Sequence, residues 1–363
     1  MKKEHTAVLE IVKMDNNKDK LIEILDDKSI NWIEVLGYLC YHRVAGLAYE
    51  RINSINIRKL DFPVFFSIYM IHQSQSLRLD LQKEYIKDIS SKLCECNIKH
   101  VFLKGSVLSS TLYPAGTRAS NDIDILVSKD SIQEVKKALY ELDFVQGKYN
   151  YKNDTVEEFD NHTIAQSIKD RGETAPFIKV INKVTIKTID VDVNFSLDWN
   201  PNANNEIVTS FLDERILVPI DSNSSIYSLK EEHLFIQLCI HLYKDSVLLD
   251  IVKKRKVLDL YKFVDLYLFI QKYFETINPE KIFEDSIKYN FDKQVFFALN
   301  YTAKIFPDIM KIDNVNILYQ KYNYIGEKIM TEIFDQYNSE NKMEDTGNLI
   351  DRLFSYDIIN KYN

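Results

Sequence analysis

The residues best suited to chemistry are acidic. Asp122 and Asp124 alternate with Ile123 and Ile125 in "DIDILV", and Asp190, Asp192 and Asn194 alternate with Ile189, Val191, Val193 and Phe195 in "VTIKTIDVDVNF". Successive side chains of a strand point to opposite faces, so each run carries its polar groups on one side and apolar residues on the other. A lone Asp-x-Asp pair is most simply a solvated sheet face, where like charges cost little. Two such runs fit that reading less well. On the even-numbered face of the second run Val184 and Ile186 come first and the acids last, whereas in the first run the acids lead and Leu126 follows. If the two strands lie antiparallel in one sheet, their acidic ends meet. Three or four carboxylates at one spot raise one another's pKa unless a cation sits among them. Hard oxygen ligands suit Mg²⁺ or Mn²⁺, which bind through a few carboxylates, water and the phosphates of a substrate.

A complementary feature lies upstream. Gly105-Ser106 ends the run "HVFLK" and opens the helical-looking "SVLSSTLY", where backbone N–H groups and the helix dipole favour an anion. Glycine lets a phosphate come close to the backbone. Ser106 either donates its hydroxyl to a phosphate oxygen or caps the helix. Lys104 and Arg118 either neutralise phosphate charge or form structural ion pairs.

The elements that must position these residues follow from periodicity. Residues 18–96 carry apolar residues at helical spacing, as in "WIEVLGYLCYHRVAGLAYERI". From His100 the period changes to short β-rich runs, with the helical "SIQEVKKALYEL" between the second and third. After Pro219 and the polar "DSNSS", helical spacing resumes and continues toward the C-terminus. The fold class is therefore α+β: an N-terminal helical region over 1–97, a core with a small mixed sheet over 98–221, and a C-terminal helical domain over 222–363.

Composition narrows the function classes. With 363 residues, 45% of them hydrophobic, the chain can build a core without staples. Cys40, Cys94, Cys96 and Cys239 lack the paired spacing of a zinc site and read as buried reduced thiols. The charged first twenty residues hold no apolar run of signal-peptide or membrane-span length, which predicts a cytoplasmic protein with no membrane partner. A net charge of −8 argues against extended nucleic-acid binding and confines any nucleotide contact to a cleft. The basic "KKRK" at 253–256 reads as a solvated connector. Most of the 22 tyrosines and 20 phenylalanines follow helical patterns and read as core. His162 gives no reason to be catalytic, and His241 and Lys244 share a helix face near a helix end, where a lysine serves the dipole and solvent.

The order of these features resembles the DNA polymerase β-like nucleotidyltransferase superfamily. More narrowly, "FLKGSVLSSTLYPAGTRASNDIDILV" resembles the uncharacterised bacterial nucleotidyltransferase family 5. The resemblance implies that Asp122 and Asp124 bind two divalent ions and that Asp192 completes the site. It also implies that Gly105 and Ser106 cradle the β/γ-phosphates, with Lys104 and Arg118 as further candidate contacts. Asp190 would tune the third ligand or stay solvated, and solvation is favoured. The family often has Asp-Leu-His-Trp at the third acidic strand, whereas this chain has Asp192-Val193-Asn194-Phe195. The implied activity is transfer of a nucleoside monophosphate, ATP being one candidate donor, to a small molecule or a peptide, as in the making of modified peptides. Two alternatives stand beside it. A nucleotide-sugar donor would make a glycosyl or glycosyl-phosphate transferase acting on a phosphorylated peptide. A site without chemistry would make a nucleotide-binding module.

Overall fold

A computed structural model describes the chain apart from residues 15–17, 56–59, 182, 184–185, 199, 201–204, 254–257, 336–341, 345–346 and 356–363. Val184 and most of "KKRK" lie outside the described residues. The chain divides into two compact units, one of Ser74–Leu234 and one made by Met1–Gln73 together with Phe235–Asn363.

The first unit is built on a mixed sheet, as the α+β expectation requires. Its strands are β1 (His100–Phe102), β2 (Asp122–Val127), β3 (Val145–Asn150), β4 (Thr155–Glu158), β5 (Phe177–Val180), β6 (Thr188–Asn194), β7 (Ile216–Pro219) and β8 (Ser225–Ser228). They lie in the order β4-β3-β5-β6-β2-β1-β8-β7. Most neighbours are antiparallel, but β2 runs parallel to β6 and β1 parallel to β8. The period-2 pattern of β6 is realised directly: Ile189, Val191 and Val193 are buried, and Thr188, Asp190, Asp192 and Asn194 on the other face are half-buried. In β2 every residue after Asp122 is buried, as suits a strand covered on both faces.

Helices complete this unit. Ile132–Glu141 is amphipathic and buries Ile132, Val135, Ala138 and Leu139, spaced at helical intervals. The short helix Gly105–Thr111 follows β1 directly, with Lys104 as the residue before its first turn. His162, which the sequence left without an element, is exposed near the start of helix Asn161–Asp170, capped by Asp160 accepting from the Thr163 N–H.

The second unit is mainly helical, with a hairpin of β9 (Glu332–Phe334) and β10 (Lys342–Glu344). Its core is aromatic: Tyr267, Tyr322, Phe263, Phe269 and Phe297 are fully buried, as the spread of aromatic residues along helical patterns implies. It also buries charge. Lys262 bonds to Asp245 at 2.5 Å, with His241 at 3.4 Å from the same carboxylate oxygen and Asp259 at 3.7 Å from Lys262. Burial opposes the charged form of Asp245, but Lys262, His241 and Lys244 outweigh it and hold its pKa low. His241 is thus engaged within its own unit, and Lys244 is half-buried in the last turn of its helix.

The cysteines correct one expectation. Only Cys239 is buried; Cys40, Cys94 and Cys96 are exposed, all four as free thiols. Cys94 lies in the last turn of helix Phe62–Glu95 and Cys96 in the turn that follows it. Among the described residues no helix is long and apolar enough to cross a membrane.

Candidate active site

All the sequence-predicted site residues belong to the sheet-containing unit. The two acidic strands do meet, although not in the expected way. β2 and β6 are parallel neighbours, and their register sets Asp122 opposite Asp190, Asp124 opposite Asp192, and Leu126 opposite Asn194. Partners across a ladder share a face, so four carboxylates form a two-by-two block on one side of the sheet. The antiparallel expectation came from the order of acids and apolar residues along each run. The pairing is instead set by register, which brings the two Asp-x-Asp pairs side by side with both strands running the same way.

The block is unevenly exposed. Asp124 is 4% exposed, while Asp122, Asp190 and Asp192 are half-buried. Burial, with the charges of Asp124, Asp122 and Glu173, pushes the Asp192 carboxyl up to about 8, against the pull of Lys104. Asp190 departs from the solvated reading. Its Oδ1 is buried without a hydrogen-bond partner among the described residues, and burial raises its pKa against the opposing effects of Thr188 and Arg78.

Lys104 is brought into the same cluster by backbone geometry. β1 pairs with β2 so that Phe102 faces Ile125, and the Leu103 N–H donates to Asp124 O at 3.0 Å. Continued in register, the strand would put Lys104 on the face away from Asp124. At Lys104 the chain instead takes φ 46° and ψ −120°, a region that costs a residue with a side chain about 1–3 kcal/mol. The alternation breaks there, and Lys104 Nζ donates to Asp124 Oδ1 at 2.7 Å. The Asn194 amide donates to the same oxygen at 3.4 Å. The Asn194 amide thus supports a carboxylate of the block.

The Gly-Ser pair sits beside this cluster. A Cβ on Gly105 would fall 2.2 Å from Ser120 Oγ and 2.8 Å from Arg118 Nη1, so any other residue would force these side chains to move. Arg118 is buried and packs its guanidinium against the Gly105 backbone. Ser120 Oγ donates to Asp122 O at 3.2 Å, linking this loop to the start of β2. Ser106 Oγ is buried and has no hydrogen-bond partner among the described residues, a state that a polar ligand would relieve.

Glu173 is the residue that sequence reasoning missed. It forms an antiparallel bridge with Asn194, and the next residue donates through its N–H to Val193 O at 2.9 Å. Gly172 makes this approach possible, because a Cβ there would lie 2.6 Å from Asp198 O. The only signal in the sequence is the Gly-Glu pair itself, since Glu173 lies in no alternating run.

The donor set matches a hard divalent cation in kind: it is a cluster of carboxylates. As the side chains are set, however, no three His, Cys, Asp or Glu side chains among the described residues converge closely enough to hold a metal ion. The inward oxygen of Asp124 is engaged by Lys104.

A family model described as "Uncharacterised nucleotidyltransferase" matches residues 28–307, more than half of the chain, and includes every residue of this site. No curated protein matches the chain.

Proposed function

The chain belongs to this uncharacterised nucleotidyltransferase family, and from that premise we propose that it moves a nucleoside monophosphate from an NTP to a small-molecule or peptide acceptor, releasing pyrophosphate, with Mg²⁺ or Mn²⁺ as cofactor. The observation that carries the reading is the register of β2 on β6, which sets Asp124 beside Asp192 and Asp122 beside Asp190 next to Gly105-Ser106. Asp122, Asp124 and Asp192 would hold the divalent ion, whose charge offsets that of the phosphates and eases removal of the proton from the attacking oxygen. The remaining work falls to the chain's own groups. Gly105 leaves the backbone open to the donor phosphates, and Ser106 Oγ donates to a phosphate oxygen. The Arg118 guanidinium neutralises charge that grows on the departing pyrophosphate.

A thermal-shift panel tests the donor: the four NTPs and several NDP-sugars, each with Mg²⁺ or Mn²⁺, on wild type and on Asp124→Asn. A ligand at 100 times its Kd adds about 2.7 kcal/mol of stability. The expected result is stabilisation by one NTP with metal, lost in the variant. Stabilisation by an NDP-sugar alone would move the reading to a nucleotide-sugar donor. Equal stabilisation of wild type and variant would remove Asp124 from the site.

A further inference from the structure

Lys104 carries two features that a surface lysine does not. Its backbone is held at φ 46°, and its ammonium lies 2.7 Å from a nearly buried carboxylate, the two side chains being 18% and 5% exposed. That carboxylate is Asp124, the most buried acid of the block, and its lysine-bound oxygen also accepts from Asn194. An ammonium and a divalent cation compete for this oxygen, because at contact distance two positive charges with little water between them repel strongly. Among the described residues no three His, Cys, Asp or Glu side chains converge closely enough to hold a metal ion, and on Asp124 the positive partner is a cation of the chain's own.

We propose that Lys104 is an internal counter-ion that competes with the divalent cation for Asp124. The inference rests on the metal-dependent reading of the site. Four carboxylates packed on one sheet face need positive charge to coexist, and Lys104 supplies one charge until a cation enters. When the cation takes this oxygen, charge repulsion drives the ammonium from it. The anionic donor that accompanies the cation then offers it a partner, since Lys104 directly precedes Gly105-Ser106. Metal alone therefore binds weakly, and metal with nucleotide binds well. The broken alternation at Lys104 is what aims its side chain at the acidic face.

The test measures Mn²⁺ binding directly, by the electron paramagnetic resonance of free Mn²⁺, on full-length protein with and without NTP. Lys104→Met removes the competing charge and should bind Mn²⁺ at least ten-fold tighter than wild type in the absence of nucleotide. Lys104→Gln keeps a hydrogen-bond donor for Asp124 and guards against loss of fold; it should show the same gain, while Lys104→Arg should not. A lysine with a purely structural role predicts the opposite order, with affinity unchanged or reduced in folded Lys104→Gln. That order, in a wild-type protein that binds Mn²⁺ with NTP, would overturn the counter-ion and leave the metal-dependent reading standing. If wild type and Lys104→Gln both fail to bind Mn²⁺ with every NTP, the metal-dependent reading falls and the counter-ion with it.

Discussion

At the residue scale, the site is a problem of like charges held together. Asp124 and Asp192 are cross-strand partners, and Asp192 is pushed up to about 8 by burial and by its acidic neighbours. Replacing either by asparagine keeps the shape and removes the charge. Asp124→Asn and Asp192→Asn should each lower kcat/KM for nucleotidyl transfer by roughly 10³-fold, equivalent to about 4 kcal/mol of transition-state stabilisation; circular dichroism would show the fold retained. A different residue contributes to acid stability. His42 is buried, its Nδ1 accepts the Leu260 N–H at 3.2 Å, and burial pulls its pKa down to about 3. Its contribution is complete above pH 6.5 and is lost as pH falls toward 3, because the unfolded chain takes the proton first. The loss amounts to up to roughly 1.4 kcal/mol per pH unit. Urea titrations between pH 7 and 4 should show that His42→Gln has a shallower decline than wild type.

At the element scale, the turn from β1 into helix Gly105–Thr111 is the tightest point of the site. Gly105→Ala drives a methyl group into Ser120 and Arg118. Overpacking of this kind costs about 1–3 kcal/mol, so the denaturation midpoint should fall, and Ser120→Gly should restore part of it by vacating the space. The faces of β2 and β6 were legible in the sequence because alternation has a period of two, and Val191 and Val193 are as buried as Asp192 is polar-facing. The direction of pairing was not legible. Nothing in residues 122–127 or 188–194 records which way a neighbour runs; that is set by β3, β4 and β5, which route the chain back to β2's other edge. Asp190 was misjudged for a related reason. Its solvation depends on what lies above the sheet, and no run containing Asp190 encodes that. Glu173 was hidden because its position comes from a bridge to Asn194 and from space beside Gly172.

At the scale of the whole molecule, the mainly helical unit carries its own internal charge. Breaking a buried pair while leaving one charge behind costs about 3–5 kcal/mol, whereas replacing both partners with apolar groups is often neutral. Lys262→Met should therefore destabilise strongly in urea unfolding, and Lys262→Met with Asp245→Leu should recover most of the loss. The parallel pairing of β2 with β6 also bears on how the protein reaches its fold. These strands become neighbours only once the chain from 128 to 187, with β3, β4 and β5, has closed into place. Contacts so distant in sequence form slowly, because loop closure precedes their reward. The acids thus converge late, and their mutual repulsion weighs on the last steps of assembly. Stopped-flow refolding should accelerate when Asp190→Asn and Asp192→Asn are combined, which would make the charges that serve the site an obstacle on the path to it.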